Sequence, residues 1–259
     1  MASFAHSADV VYLNAFCCGH PSFSNTHPLA KMAHSKGSPK VNSNASDTSG
    51  KSIQETHPHI DLPLAFRVYC DKSRLTHSAF YIGHEKGQKL HGISGGYKGW
   101  FKATVTLHQG PSTDSQVLGS AIIKSKKVEV TLPSGMHVME SRSVLSSEFA
   151  FDFPIEGIPA PEHFEWRRSQ GPEVESLAGR GKGGWVLLRI GHAAELVEPV
   201  AAYSVDLGSI KLSGHFAFFN SGRSGELSAD WVVMAIVTAL SLGQKKRDNN
   251  NGMALAVTL

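Results

Sequence analysis

Ser94 sits in the run Gly92-Ile93-Ser94-Gly95-Gly96, which has the G-x-S-x-G spacing of a nucleophile elbow. That chemistry needs a strand before the serine and a helix after it, so that the hydroxyl projects from a sharp turn toward a base. Here Tyr97-Lys98-Gly99-Trp100 follows, a glycine-broken turn into a β pattern, so the run reads as a hairpin connection and not as an elbow. A phosphate loop is suggested by Ala178-Gly179-Arg180-Gly181-Lys182-Gly183-Gly184, but the G-x-x-x-x-G-K-[ST] spacing is absent and a strand follows. This run reads as a flexible, basic hairpin tip. Of the 14 histidines, six lie before Ile60, and His57-Pro58-His59 has no cysteine or carboxylate companion at zinc-site spacing. Glu173 and Glu175 read as an exposed loop. The expectation is therefore a protein that is not an enzyme, with no catalytic residues, metal or cofactor.

The basic residues carry a different chemistry. Lys72 and Arg74 flank a turn, Arg167 and Arg168 end a strand, and Arg180 and Lys182 sit on the glycine-rich tip. Lys124, Lys126 and Lys127 form a further cluster. Guanidinium and ammonium groups pair with phosphates at a negatively charged leaflet, so these turns are candidate lipid- or anion-binding positions. Arg223, in Asn220–Glu226 just before the last helix, could join backbone N–H groups in holding an anion. Gly222 and Gly225 in that loop more simply let the chain turn. Scattered solvated charges are the competing explanation for the whole set.

The 259-residue chain is long enough for one large domain or two small ones. A net charge of +3 is too small for a dedicated nucleic-acid binder. Cys17, Cys18 and Cys70 are odd in number and two are adjacent, which fits free thiols in a reducing compartment. The apolar run Val10–Leu13 has no basic residue before it and is too short for a signal peptide, so the expected location is cytoplasmic. Ser35 to Pro58 is Ser-, Asn-, Gly- and Lys-rich and cannot bury enough apolar surface to offset its ordering entropy. Residues 1–57 are thus expected to form a disordered leader, 58–247 the folded domain and 248–259 a flexible tail.

Within the domain the pattern is β. Phe101, Ala103, Val105 and Leu107 alternate with Lys102, Thr104, Thr106 and His108, the period-2 signature of a half-buried strand. The segments Lys127–Leu132, Glu148–Phe153 and His163–Arg168 repeat it. Further strands are expected at Phe66–Cys70, Ala79–Gly83, Leu90–Ser94, Val117–Ala121, Trp185–Ile190, Val197–Val205 and His215–Phe219. About a dozen short strands divided by turn residues fit a closed barrel or a sandwich.

The last strong signal is helical. Ser228 is a natural N-cap, Asp230 suits the first turn, and Lys245, Lys246 and Arg247 suit the last. Between Trp231 and Leu242 only Thr238 and Ser241 are polar, so no face of this helix can be left in water. It is either buried or in a bilayer. Twelve residues span about 18 Å at about 1.5 Å each, against about 30 Å of hydrocarbon, so burial is expected and no transmembrane span. Strands in need of a core and a helix in need of a wrapping give a β-barrel threaded by a helix near 229–246.

The stretches DLPLAFRVYCDKSRLTHSAFYIG, ISGGYKGWFKATVTLHQGP, HFEWRRSQGPEV and SGELSADWVVMAIVTALSLGQKKR resemble fungal proteins of the tubby C-terminal-like superfamily. That superfamily includes the tubby domain, the plant LURP-one-related proteins and the phospholipid scramblases. The resemblance covers about Leu62 to Arg247, with gaps near Ile123–Ser146 and Ala193–Leu212. It implies a mainly β fold, a closed antiparallel barrel of about twelve strands around a buried apolar C-terminal helix. It also implies, through tubby domains, a non-enzymatic role binding phosphoinositide or another anionic membrane lipid at the membrane periphery. The alternative is a structural or protein-interaction domain with an unknown protein partner and no lipid ligand.

Overall fold

The alternating segments do become strands. The computed structural model describes residues 61–71, 79–97, 103–143, 148–191, 197–206 and 212–256. The leader expected over 1–57, Cys17, Cys18, Lys72 and Arg74 lie outside the described residues. Twelve strands follow one another along the chain. They are β1 (Ala65–Asp71), β2 (Ala79–Gly83), β3 (His91–Tyr97), β4 (Ala103–His108), β5 (Val117–Ile123) and β6 (Lys127–Leu132). Then come β7 (Gly135–Ser141), β8 (Phe149–Phe153), β9 (Glu162–Ser169), β10 (Gly184–Ile190), β11 (Val197–Val205) and β12 (Leu212–Phe218). Helix α1 (Pro172–Ala178) lies between β9 and β10, and α2 (Asn220–Ser224) and α3 (Ala229–Ala256) follow β12.

Each strand pairs antiparallel with the next, and β1 closes the ring on β12 with Ala65 opposite Ala217. The architecture is therefore a closed barrel and not a sandwich, which leaves no unpaired sheet edge. Alternate side chains point inward: Val68, Ile82, Ile93, Val105, Leu107, Val130, Phe151, Phe164, Trp166, Leu187, Tyr203 and Phe216 join one core with α3. At the start of α3, Trp231 meets the rings of Phe164 and Phe218 at 5.4 and 5.9 Å.

Helix α3 begins as the sequence predicts. The Ser228 hydroxyl accepts the Trp231 N–H at 3.2 Å, satisfying one of the free donors of the first turn. From Trp231 to Leu242 every residue except Val232 is buried, on all sides. The two polar side chains in this span are both satisfied. Thr238 Oγ1 accepts the indole N–H of Trp166 at 3.0 Å and itself donates to the Met234 carbonyl at 2.8 Å. Ser241 Oγ donates to the Val237 carbonyl at 2.8 Å. The fit of helix to wall is close enough to require glycine twice. A Cβ at Gly119 on β5 would lie 2.7 Å from Val233, and one at Gly243 on the helix 2.6 Å from the Tyr203 hydroxyl.

Four expectations need correction. The sequence predicts no strand at Gly135–Ser141, yet β7 is there; its inward His137 stacks on Phe153 at 4.7 Å, and a histidine in an apolar slot hides the alternation. Glu173 and Glu175 lie on α1 and not on a loop, because Pro172 opens the helix and both acids suit its first turn. Gly92–Gly96 is the interior of β3 and not a hairpin connection. Gly92 is needed there because the β4–β5 turn lies over it, with the Pro111 carbonyl 3.2 Å from where a Cβ would be. Finally, α3 continues to Ala256 instead of giving way to a loose tail at Asp248. Extending an established helix carries no nucleation cost, and Gln244 donates one turn ahead to Asp248 at 2.8 Å.

Replacing Thr238 with valine keeps the shape but strands the buried Trp166 N–H. Denaturant unfolding is expected to show a loss of about 1–3 kcal/mol. Ser241→Ala, which removes only a bond within the helix, should cost less than Thr238→Val. Equal losses for the two would mean that the indole bond does not hold helix to wall.

Candidate anion-binding end of the barrel

In a sequentially wound antiparallel barrel, successive connections fall on opposite ends. The β5–β6, β7–β8 and β9–β10 connections therefore share one end with the later turns of α3, where Lys245 reaches the β5–β6 turn. The β2–β3, β4–β5, β6–β7 and β8–β9 connections, α2 and the start of α3 share the other.

Charge follows this division. The first end carries Lys124, Lys126, Arg142, Arg168, Arg180, Lys182, Lys245, Lys246 and Arg247, with Asp71, Glu148, Glu173, Glu175, Asp206 and Asp248 as its acids. The second carries Asp61, Glu85, Asp114, Glu156, Glu162, Glu198, Glu226 and Asp230, with Lys86, Lys89, Arg189 and Arg223 as its bases. Basic residues far apart in sequence thus outnumber the acids on one face, and acids outnumber the bases on the opposite one.

The helix contributes to the basic end in a way the sequence disguises. Lys245, Lys246 and Arg247 are not terminal residues neutralising a helix dipole, since the helix runs on to Ala256. They fan outward to the barrel rim, each over an aromatic ring. Lys245 donates to the Lys124 and Ser125 carbonyls at 2.6 and 2.8 Å and lies 5.3 Å from the Phe149 ring centre. Lys246 lies 5.5 Å from the ring of Trp185. Arg247 donates to the Ser213 hydroxyl and lies 4.9 Å from the ring of Phe80. Burial lowers the pKa of Lys245 and Lys246 from the ordinary lysine value. The clue available in the sequence was the three consecutive cations that follow the apolar run after Gly243 and Gln244.

The sequence-predicted site residues separate into distinct environments. Arg168 reaches the basic mouth beside the helix, 4.3 Å from the ring of Trp185. Arg180 and Lys182 stand on the exposed turn after α1, where Gly179 and Gly181 take positive φ angles of 89° and 75° and Arg180 meets Glu175 at 3.3 Å. Arg167 points to the outer wall and is already neutralised. Its guanidinium donates to Glu165 at 2.7 Å, and Glu165 is also held by Arg142 and by His163 at 3.2 Å. Burial opposes the charge on Glu165, but Arg167, His163 and Arg142 outweigh it and hold the carboxyl below its ordinary value. Arg223 stands on α2, at the acidic end and apart from the others. Gly222 lies within α2, its missing Cβ only 2.2 Å from the Val200 carbonyl, and the chain turns at Gly225, which ends the helix at a positive φ of 85°. Lys72 and Arg74 lie outside the described residues.

Ser94 has a base within reach but not the surroundings of a nucleophile. Its hydroxyl lies 2.9 Å from His108 Nε2, while His108 Nδ1 meets the Ser115 carbonyl at 3.1 Å. The pair joins β3 to β4 and to the end of the β4–β5 turn. Ser94 lies within a paired strand, opposite Thr106 and Ala79, so its backbone serves the sheet and not an oxyanion. Among the described residues there is no group of three metal-ligating side chains, and no helix long and apolar enough to cross a membrane. The outer wall also bears Glu129, Glu165 and Arg167, where a membrane-spanning barrel carries an apolar band. Comparison with family models, with curated proteins and with solved structures found no match.

Two outcomes are expected from this geometry. A fluorophosphonate probe should leave Ser94 unlabelled by mass spectrometry; specific labelling there would assign it a nucleophilic role. Glu165→Gln should reduce stability by about 1–3 kcal/mol at neutral pH, since two arginines lose their counter-charge. Because the folded pKa of Glu165 is lowered from 4.5, its contribution is complete above about pH 4.5 and disappears as the pH falls through the folded value. The gap between wild type and variant, measured by denaturant midpoint, should therefore close on acidification. A gap that stays constant to pH 2 would contradict the assignment.

Proposed function

We propose that the protein is a non-enzymatic barrel that lays its basic end against anionic membrane surfaces, phosphoinositide headgroups included. The observation that carries this reading is the separation of charge between the two barrel ends. Cations from three β-connections and from the helix gather on one face, while the acids on the opposite face turn that end away from a negative leaflet. The resemblance of four stretches of the chain to the tubby C-terminal-like superfamily supports the same reading. The location this implies is the membrane periphery.

A second reading, a domain for protein partners, draws on one observation at the acidic end. Among the described residues, the exposed large hydrophobic side chains Leu64, Val117, Met136 and Val197 all lie there, Met136 being 70% exposed.

Co-sedimentation of the full chain with neutral vesicles and with phosphoinositide-containing vesicles distinguishes the two. The protein is expected to pellet only with the anionic vesicles. It should be released as salt rises from about 0.05 to about 0.5 M and the Debye length shrinks from about 14 to about 4 Å. A protein that stays in the supernatant throughout would refute the membrane reading and leave the acidic end as the functional face.

A further inference from the structure

The cations of the basic end are not equivalent. Glu129 pairs with both Lys124 and Lys127, and its pKa falls to about 2 chiefly through those hydrogen bonds. Glu165 neutralises Arg142 and Arg167, Glu175 meets Arg180, and Lys245 and Arg247 are engaged with rim oxygens. Arg168 and Lys246 have no such counterpart, and neither do the exposed Lys126 and Lys182: among the described residues no carboxylate lies within salt-bridge distance of any of the four. Of these, Arg168 and Lys246 are brought together. Arg168 follows Phe164 and Trp166 in the inward alternation of β9 and so meets the helix at the barrel mouth. Both cations lie over the same buried ring, Trp185, at 4.3 and 5.5 Å.

Two like charges held against one aromatic ring, Arg168 exposed at the mouth and Lys246 half-buried, repel each other. The effect shows in Lys246, whose pKa is lowered first by burial and then by Arg168, and burial likewise lowers Arg168. The ring offsets part of the cost, since each cation gains from the negative face of the indole. The remainder would be relieved by a negative group placed between them.

There is room for that group. A cleft of about 560 Å³ opens between Arg168, Ser169, Gln170, Gly183, Gly184 and Lys246. Gly184 lines it without a side chain; a Cβ there would lie 2.5 Å from the Tyr203 carbonyl and 2.9 Å from Val174, so the packing of α1 on the wall requires this glycine. Gly183 leaves its side open, with Gln170 the nearest side chain at 4.0 Å. The guanidinium offers a planar fork, the ammonium a point charge, and the Gln170 amide a neutral donor.

We infer that this cleft is a discrete oxyanion site that takes the phosphate of a phosphomonoester between the Arg168 guanidinium and the Lys246 ammonium. Two unpaired positive charges match the charge of about −1.5 to −2 that such a phosphate carries at neutral pH. A single carboxylate would leave the pair half compensated. The site rests on the reading of this end as the anion-facing one, and narrows it from a diffuse field to one bound group. The group can belong to a free metabolite or to a lipid headgroup.

Calorimetric titration of glycerol 3-phosphate into the full chain tests the site, with sodium chloride at matched ionic strength as the reference. Saturation with one phosphomonoester per chain is expected. Loss of one charge-assisted hydrogen bond should weaken it about tenfold or more in Arg168→Gln and in Lys246→Gln. Lys126→Gln, which removes the same charge from the same end, should bind as wild type does. Neither cleft variant should melt earlier than wild type in the absence of phosphate, because each removes one member of a repelling pair. Absence of saturation, or equal weakening in all three variants, overturns the inference. Phosphoinositide vesicles separate it from the broader reading. Vesicle binding without phosphomonoester saturation sinks the site and leaves the surface, whereas saturation without vesicle binding keeps the site and makes a soluble phosphomonoester its ligand.

Discussion

A helix with no polar face has to be surrounded. From Trp231 to Leu242 α3 offers water nothing but two short hydroxyls, and both of those are turned to partners inside the protein. Twelve short strands can satisfy that demand only by closing, because an open sheet would leave one flank of the helix bare. Closure in turn needs the wall to match the cylinder it contains. Gly119 and Gly243 set the closest approaches, the aromatic rings around Trp231 fill one end, and the Trp166–Thr238 bond ties wall to helix in the interior. Helix and barrel are each other's core.

The same enclosure organises the charged surface. Because the strands wind in order, the chain returns to the same end every second connection, and residues remote in sequence become neighbours there. Because the helix threads the barrel, the cations that follow its apolar span emerge at that end too. Lys245 and Arg247 fasten it to the rim. Lys246 is the member left facing Arg168, which β9 delivers from the wall. Core packing therefore decides which cations are tethered and which remain unpaired.

The outer wall shows how little of a charge's role follows from its identity. Arg167 and Arg168 are adjacent and chemically alike. The alternation of a strand sends one outward to Glu165, where it is compensated, and the other to the mouth, where it is not. Ser94 gives the same lesson in reverse. A motif with the spacing of a nucleophile elbow lies inside a regular strand, and its glycine makes way for the turn that crosses above it.

Period and polarity along the chain were enough to specify most strands, the N-cap at Ser228 and the need to bury α3, because these depend on neighbours within a few residues or on the absence of any polar face. β7 escaped because His137 occupies an inward position that only its ring contact with Phe153 makes acceptable. The extension of α3 past Arg247 escaped because it depends on a helix already anchored by the rim. Of the candidate site, the sequence supplied Arg168 among several equivalent-looking cations but did not single it out, and it placed Lys246 at a helix terminus. Their meeting over Trp185, without a carboxylate within reach, is a contact between a strand, its neighbour and a distant helix. Only closure of the barrel brings those three together, so tertiary structure alone decided which charges are free to act.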